Sequence, residues 1–166
     1  MNLFDFALTM ELDGEAYYRE LAAKTVHPDL KAVLEGLAAE ERRHYDIIKA
    51  AQGGERGIVP EQPALSDVPN VFADKTFDLA DQERTIPRLK AEPIDLYRAA
   101  LDKEKESVSL YQELAQKAAS PEETALCQKL REEEEKHVEL MDNIVEMLNR
   151  VQDWVESAEF NHQEIY

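Results

Sequence analysis

LREEEEKHVELM, residues 130–141, decides how this chain folds. Leu130, Glu134, His137 and Met141 recur at three- and four-residue steps, the spacing of one face of a helix. Cys127 precedes them and Ile144 and Leu148 follow, so Glu134 and His137 stand where a core stripe requires apolar residues. Upstream, LAAEERRHYDII repeats the pattern: Leu30, Leu34 and Leu37, then Glu41 and His44, then Ile48. A Glu and a His three residues apart lie about 4.5 Å apart along a helix axis, so both can reach one cation. One such pair in a Glu-rich helix reads most simply as a solvated face. Two pairs in phase with apolar stripes put ionised carboxylates in the interior, which is very costly unless they are paired or bind metal.

The two halves of the chain match at a constant offset of 93 residues without a gap. Ala7-Leu8 matches Ala100-Leu101, and Glu11 matches Glu104. Tyr18-x-Glu20-Leu21-Ala22 matches Tyr111-x-Glu113-Leu114-Ala115; Pro28 matches Pro121, and Leu37 matches Leu130. Glu40-Glu41 and His44 match Glu133-Glu134 and His137. This is a duplicated helical hairpin, too few copies for a solenoid. Within each copy the first Glu and the Glu of the Glu-x-x-His pair lie 30 residues apart, centred on Val26 and on Ala119, each just before a turn proline. Folding each hairpin there brings its two carboxylates to one height, about 22 Å from the turn at ~1.5 Å per residue. Two hairpins about a pseudo-twofold axis then collect Glu11, Glu41, His44, Glu104, Glu134 and His137 in one layer. That is the ligand set of a dinuclear carboxylate site inside a four-helix bundle. Oxygen donors with imidazole suit iron or manganese, and zinc also occupies such sites.

The expected fold is all-α, a ferritin-like four-helix bundle in one domain spanning residues 1–166. Its hairpins cover 3–52 and 93–150, with helices over about 3–25, 28–52, 93–118 and 121–150. His27-Pro28 and Gly53-Gly54 are breaks, and Ser120-Pro121-Glu122-Glu123 is a start signal with Ser as cap. Residues 53–92 carry Pro60, Pro63, Pro69 and Pro87 and little periodicity, with at most one short helix in VFADKTFDLADQERTI. A connection this long needs a reason; a crossover along the bundle, letting the second and third helices run parallel, supplies it. The tail, residues 151–166 with Trp154, Val155 and Phe160, reads as a short helix across the bundle end or as a dimer contact.

Composition narrows the partners. A net charge of −17 disfavours nucleic acid and anionic membranes. No apolar run reaches the ~20 residues of a membrane span. The acidic opening MNLFDFALTMELDGE does not read as a signal peptide. Cys127, the single cysteine, excludes a disulfide framework and fits a reducing, cytoplasmic compartment; its simplest role is as a small core residue. His27 and His162 lie at a turn and in the tail and are not expected to bind metal. Of Glu132 to Glu135 only Glu134 is in phase with the stripe, so the other three are expected on the solvent face.

The motifs Glu11-x6-Tyr18, Glu41-x-x-His44, Glu104-x6-Tyr111 and Glu134-x-x-His137, together with the ending WVESAEFNHQEIY, resemble the rubrerythrin-like members of the ferritin-like superfamily. The resemblance implies two iron ions, with Glu41 and Glu134 bridging, Glu11 and Glu104 as terminal carboxylates, and His44 and His137 each on one iron. It implies reduction of hydrogen peroxide or dioxygen, or oxidation of ferrous iron. A homodimer is the expected assembly. Tyr18 and Tyr111 are then either core packing or hydrogen-bond donors to ligand carboxylates. The chain has no cysteines for a rubredoxin-type iron site, so electrons are expected from an external donor such as a rubredoxin-like protein. The family's additional Glu, one turn after the third-helix ligand, is Ser107 here, which moves the ligand set toward the symmetric bacterioferritin pattern. Other readings are an iron-storage or ferroxidase protein, and a bundle holding metal only for structure.

Overall fold

A computed structural model describes residues 3–53 and 91–163, with side chains as far as residue 158. Four helices make up the described residues: α1 (Leu3–Lys24), α2 (Pro28–Gln52), α3 (Ile94–Lys117) and α4 (Pro121–Gln163). The expected crossover and its possible short helix lie almost wholly outside the described residues. No helix among the described residues is long and apolar enough to cross a membrane.

The helix starts follow local chemistry. The α4 start resembles a capping box shifted by one residue: Glu123 N–H donates to Ser120 Oγ at 3.2 Å, and the Glu123 carboxylate accepts from Ala119 N–H, just before the cap, at 2.9 Å. At α2, Pro28 occupies the first turn and His27 is the cap, its Nδ1 accepting from Leu30 N–H at 3.2 Å. His27 therefore has a capping role that composition did not suggest.

α1 packs along α2 and α3 along α4, giving the two hairpins of the repeat. They join with α1 antiparallel to α3: Tyr17 OH donates to Leu96 O at 2.6 Å, while Met10 Sδ lies 3.4 Å from Ser107 Oγ further along. This makes α2 and α3 parallel and sets the end of α2 and the start of α3 at opposite ends of the bundle. At the α3 end, Glu92 is 8% exposed and accepts from Tyr97 OH at 2.8 Å and from the Thr25 hydroxyl. The chain is thus fastened to the α1–α2 turn as it re-enters the bundle.

The core falls into two apolar clusters. Leu21, Leu30, Leu34, Leu37, Tyr97, Met141, Ile144 and Leu148 fill one end. Ala7, Leu8, Ile48, Leu110, Leu114, Cys127 and Leu130 fill the other. The buried acids and histidines form a polar layer between them.

The tail corrects one expectation. Residues 151–163 are no separate helix folded across the bundle end; they continue α4 as one helix of 43 residues. Neither Gly nor Pro interrupts it after Pro121, and Val151 and Val155 prolong the same stripe. At ~1.5 Å per residue α4 is about 65 Å long, nearly twice its partners, so its last turns run beyond the bundle. Val151 is still buried there, whereas Trp154 is 56% exposed.

Candidate metal centre

α1 contributes Glu11, α2 Glu41 and His44, α3 Glu104, and α4 Glu134 and His137, and all six are buried. They converge in two groups, each with ligand atoms within 4.8 Å of one another: Glu11, Glu41, His44 and Glu134, and Glu41, Glu104, Glu134 and His137. Glu41 and Glu134 belong to both. His44 Nδ1 lies 2.9 Å from Glu134 and 3.6 Å from Glu11. His137 Nδ1 lies 3.2 Å from Glu134, 3.3 Å from Glu41 and 3.6 Å from Glu104. The imidazoles stack 5.6 Å apart at 15°, a direct expression of the pseudo-twofold axis.

The tyrosines cross that axis. Tyr18 of the first hairpin donates to Glu104 of the second, and Tyr111 of the second donates to Glu11 of the first. Each sits two turns from its own hairpin's Glu, yet serves the other's. Burial, then the neighbouring acids with Glu104 and Glu11 foremost, holds both phenols well above their ordinary range, so they remain donors.

Glu133 departs from the solvent-face expectation. It lies 2.6 Å from His44 Nε2 and accepts from Arg43, which also reaches Glu40 at 2.8 Å. Partial burial works against its charge, but His44 and then Arg43 outweigh it and hold the carboxyl at about 2. His44 is therefore gripped on both nitrogens, whereas neither nitrogen of His137 has a hydrogen-bond partner among the described residues. The asymmetry arises because Glu40, the repeat mate of Glu133, is turned to Arg43 of its own helix. The repeat carried the signal for both residues, since Glu40-Glu41 matches Glu133-Glu134; the helical phase of the stripe hid it.

Without cations this layer is electrostatically poor. Burial, then the charge of Glu134, raises Glu11 above the ordinary carboxylate range and raises Glu41 further. Burial opposes the imidazolium forms of His44 and His137, but the surrounding acids outweigh it and raise both. Glu11 Oε2, Glu41 Oε1, Glu134 Oε2 and both nitrogens of His137 are buried without a hydrogen-bond partner. Such orphaned donors and acceptors cost about 1–3 kcal/mol each, and metal ligation is what their arrangement suits. Four carboxylates and two imidazoles fit a pair of divalent cations.

These helices and this layer define a ferritin-like four-helix bundle with a carboxylate–histidine cluster at its centre. The rubrerythrin family model matches residues 2–145, and the chain belongs to the rubrerythrin family. No curated protein and no solved structure matches it.

Proposed function

We propose that the protein is a non-haem diiron oxidoreductase that reduces hydrogen peroxide or dioxygen with electrons from an external donor, such as a rubredoxin-like protein. The observation that carries this reading is the sharing of Glu41 and Glu134 between the two buried ligand groups. Glu41 and Glu134 would lie between the metals, Glu11 and His44 on one, Glu104 and His137 on the other. A bound iron pair would supply the redox chemistry of a two-electron reduction, in which hydrogen peroxide, two protons and two electrons from the external donor give two waters. The chain's part is positional. Tyr18 and Tyr111 fix one oxygen each of Glu104 and Glu11, and Glu133 fixes the ring of His44. The two apolar clusters close the layer off toward either end of the bundle. Manganese and zinc suit the same donors. Cys127, free and buried, accords with a cytoplasmic setting.

A ferroxidase or iron-storage role is the second reading, favoured by Ser107. Its hydroxyl donates to Lys103 O at 3.0 Å, and position 107 itself offers no carboxylate to the layer. Anaerobic ferrous loading followed by peroxide separates the two. Repeated rapid oxidation sustained by an external one-electron reductant supports the oxidoreductase; a single slow oxidation supports the ferroxidase.

A further inference from the structure

Between α1 and α3 a cavity of about 200 Å³ leads from the surface to the acidic layer. Its floor is Tyr18, Glu41 and Glu104, two of them proposed metal ligands. Its walls are mostly carbon: Met10, Tyr17 and Ala100, with the small Ser107. The mouth carries Asp13, Lys103 and Glu106, all exposed.

The size decides the reading. A water molecule occupies about 30 Å³ of liquid, and an apolar cavity of about 150 Å³ accommodates benzene. Hydrogen peroxide has two heavy atoms and leaves most of this space empty. The chemistry narrows the occupant further. Asp13 and Glu106 at the mouth disfavour an anion, and Lys103, stacked over Tyr17 at 4.5 Å, leaves the mouth with charges of both signs. A neutral molecule with an apolar body and a small polar head fits both ends.

The geometry points to this cavity as the binding site for a small organic hydroperoxide, its alkyl or aryl body between α1 and α3 and its O–O group directed at Glu41 and Glu104. This rests on the diiron reading given above. The O–O bond breaks, the two oxygens leave as an alcohol and water, and two protons are taken up. The two electrons come from the same external one-electron donor. Ser107 sets the capacity: a large side chain there fills the cavity beside the floor.

The test has two arms. Zinc-loaded protein, which is redox-silent, is titrated with tert-butyl alcohol, the unreactive product of tert-butyl hydroperoxide, and followed by NMR. Saturable shifts confined to cavity residues are expected, weakened at least tenfold by Ser107→Phe. Thr9→Trp, at the exposed rim, gives the same loss from outside the core should Ser107→Phe fail to fold. In the second arm, reduced iron-loaded protein receives hydrogen peroxide or tert-butyl hydroperoxide, and the ratio of the two kcat/KM values is compared between wild type and variants. A tenfold fall in the organic-to-hydrogen-peroxide ratio supports the proposal. Absence of saturable binding, or a ratio unchanged by both variants, overturns it. If tert-butyl hydroperoxide alone is refused, the proposal falls and the diiron reading stands; if hydrogen peroxide is refused as well, both fall.

Discussion

Gly14→Ala should make the metal-free protein more stable and the metal-bound protein less so. Gly14 lies in the middle of α1, where a glycine costs about 0.5–1 kcal/mol relative to alanine. Removing that cost should raise the melting temperature of the chelator-treated protein by roughly 2–4 °C per kcal/mol for a chain of this size. Yet a Cβ at Gly14 would meet Glu41 Oε2 at 2.8 Å, Cδ at 3.2 Å and Cγ at 3.4 Å. Metal-free, the Glu41 carboxylate can swing aside at little expense. As a ligand it cannot, because coordination distances tolerate only about 0.2 Å and relief of the contact needs a larger shift. Disturbing the support of a ligand typically weakens metal affinity 10–100-fold, or about 1.4–2.8 kcal/mol at 1.4 kcal/mol per decade. The assay is differential scanning calorimetry with chelator and with manganese or zinc, alongside a competitive-chelator titration. The stabilisation by metal should shrink while the metal-free melting temperature rises. Gly14→Ala with unaltered metal affinity would refute the idea that Glu41 ligates from its observed position.

Three further outcomes follow from the same geometry. Glu133→Ala removes the carboxylate on His44 Nε2 and should weaken metal binding 10–100-fold, whereas Glu135→Ala should leave it unchanged; chelator competition reads both. Tyr18→Phe and Tyr111→Phe each leave a buried carboxylate oxygen without its donor, costing about 1–3 kcal/mol in the zinc-loaded protein by thermal melts. The two losses should be similar, since the residues are repeat mates. The third outcome concerns pH. Glu11, Glu41, His44 and His137 are raised in the folded, metal-free protein, so each takes up protons on folding. Their stabilisation is complete below the ordinary values of 4.5 and 6.5 and is lost as pH rises through the folded values. Glu133, held at about 2, acts oppositely but only below the ordinary carboxylate value of 4.5. Metal binding needs the same groups deprotonated and tightens with pH. Melting curves from about pH 5 to 9 should therefore show the metal-free protein weakening and the gap to the metal-loaded protein widening; a gap that narrows contradicts this.

Much of the fold was legible because two independent periodicities agree. The 3.6-residue stripe gave helices and the 93-residue offset gave hairpins, and only an antiparallel fold about residues 26 and 119 reconciles them. The six convergent side chains followed, because a carboxylate or imidazole in phase with Leu30 or Met141 has to face the interior. What stayed hidden were contacts between hairpins. Glu133 lies one residue out of phase, at the edge of the stripe, and becomes important only because Arg43 and His44 of the other hairpin face it. His27 resembles any turn histidine until its Nδ1 meets Leu30 N–H. The tail looks separate in the sequence because a bundle helix matched to its partners would end near Arg150. Nothing in the chain actually stops that helix at Arg150, and local propensity carried it on to Gln163.

Metal stoichiometry is the most direct measurement of all. Anaerobic ferrous titration of metal-free protein should saturate at two ions per chain, and the double variant Glu41→Leu with Glu134→Leu should keep its helical spectrum and bind none. Wild-type protein that binds no metal and melts alike with and without chelator would contradict a dinuclear centre, as would a double variant that still takes up two ions.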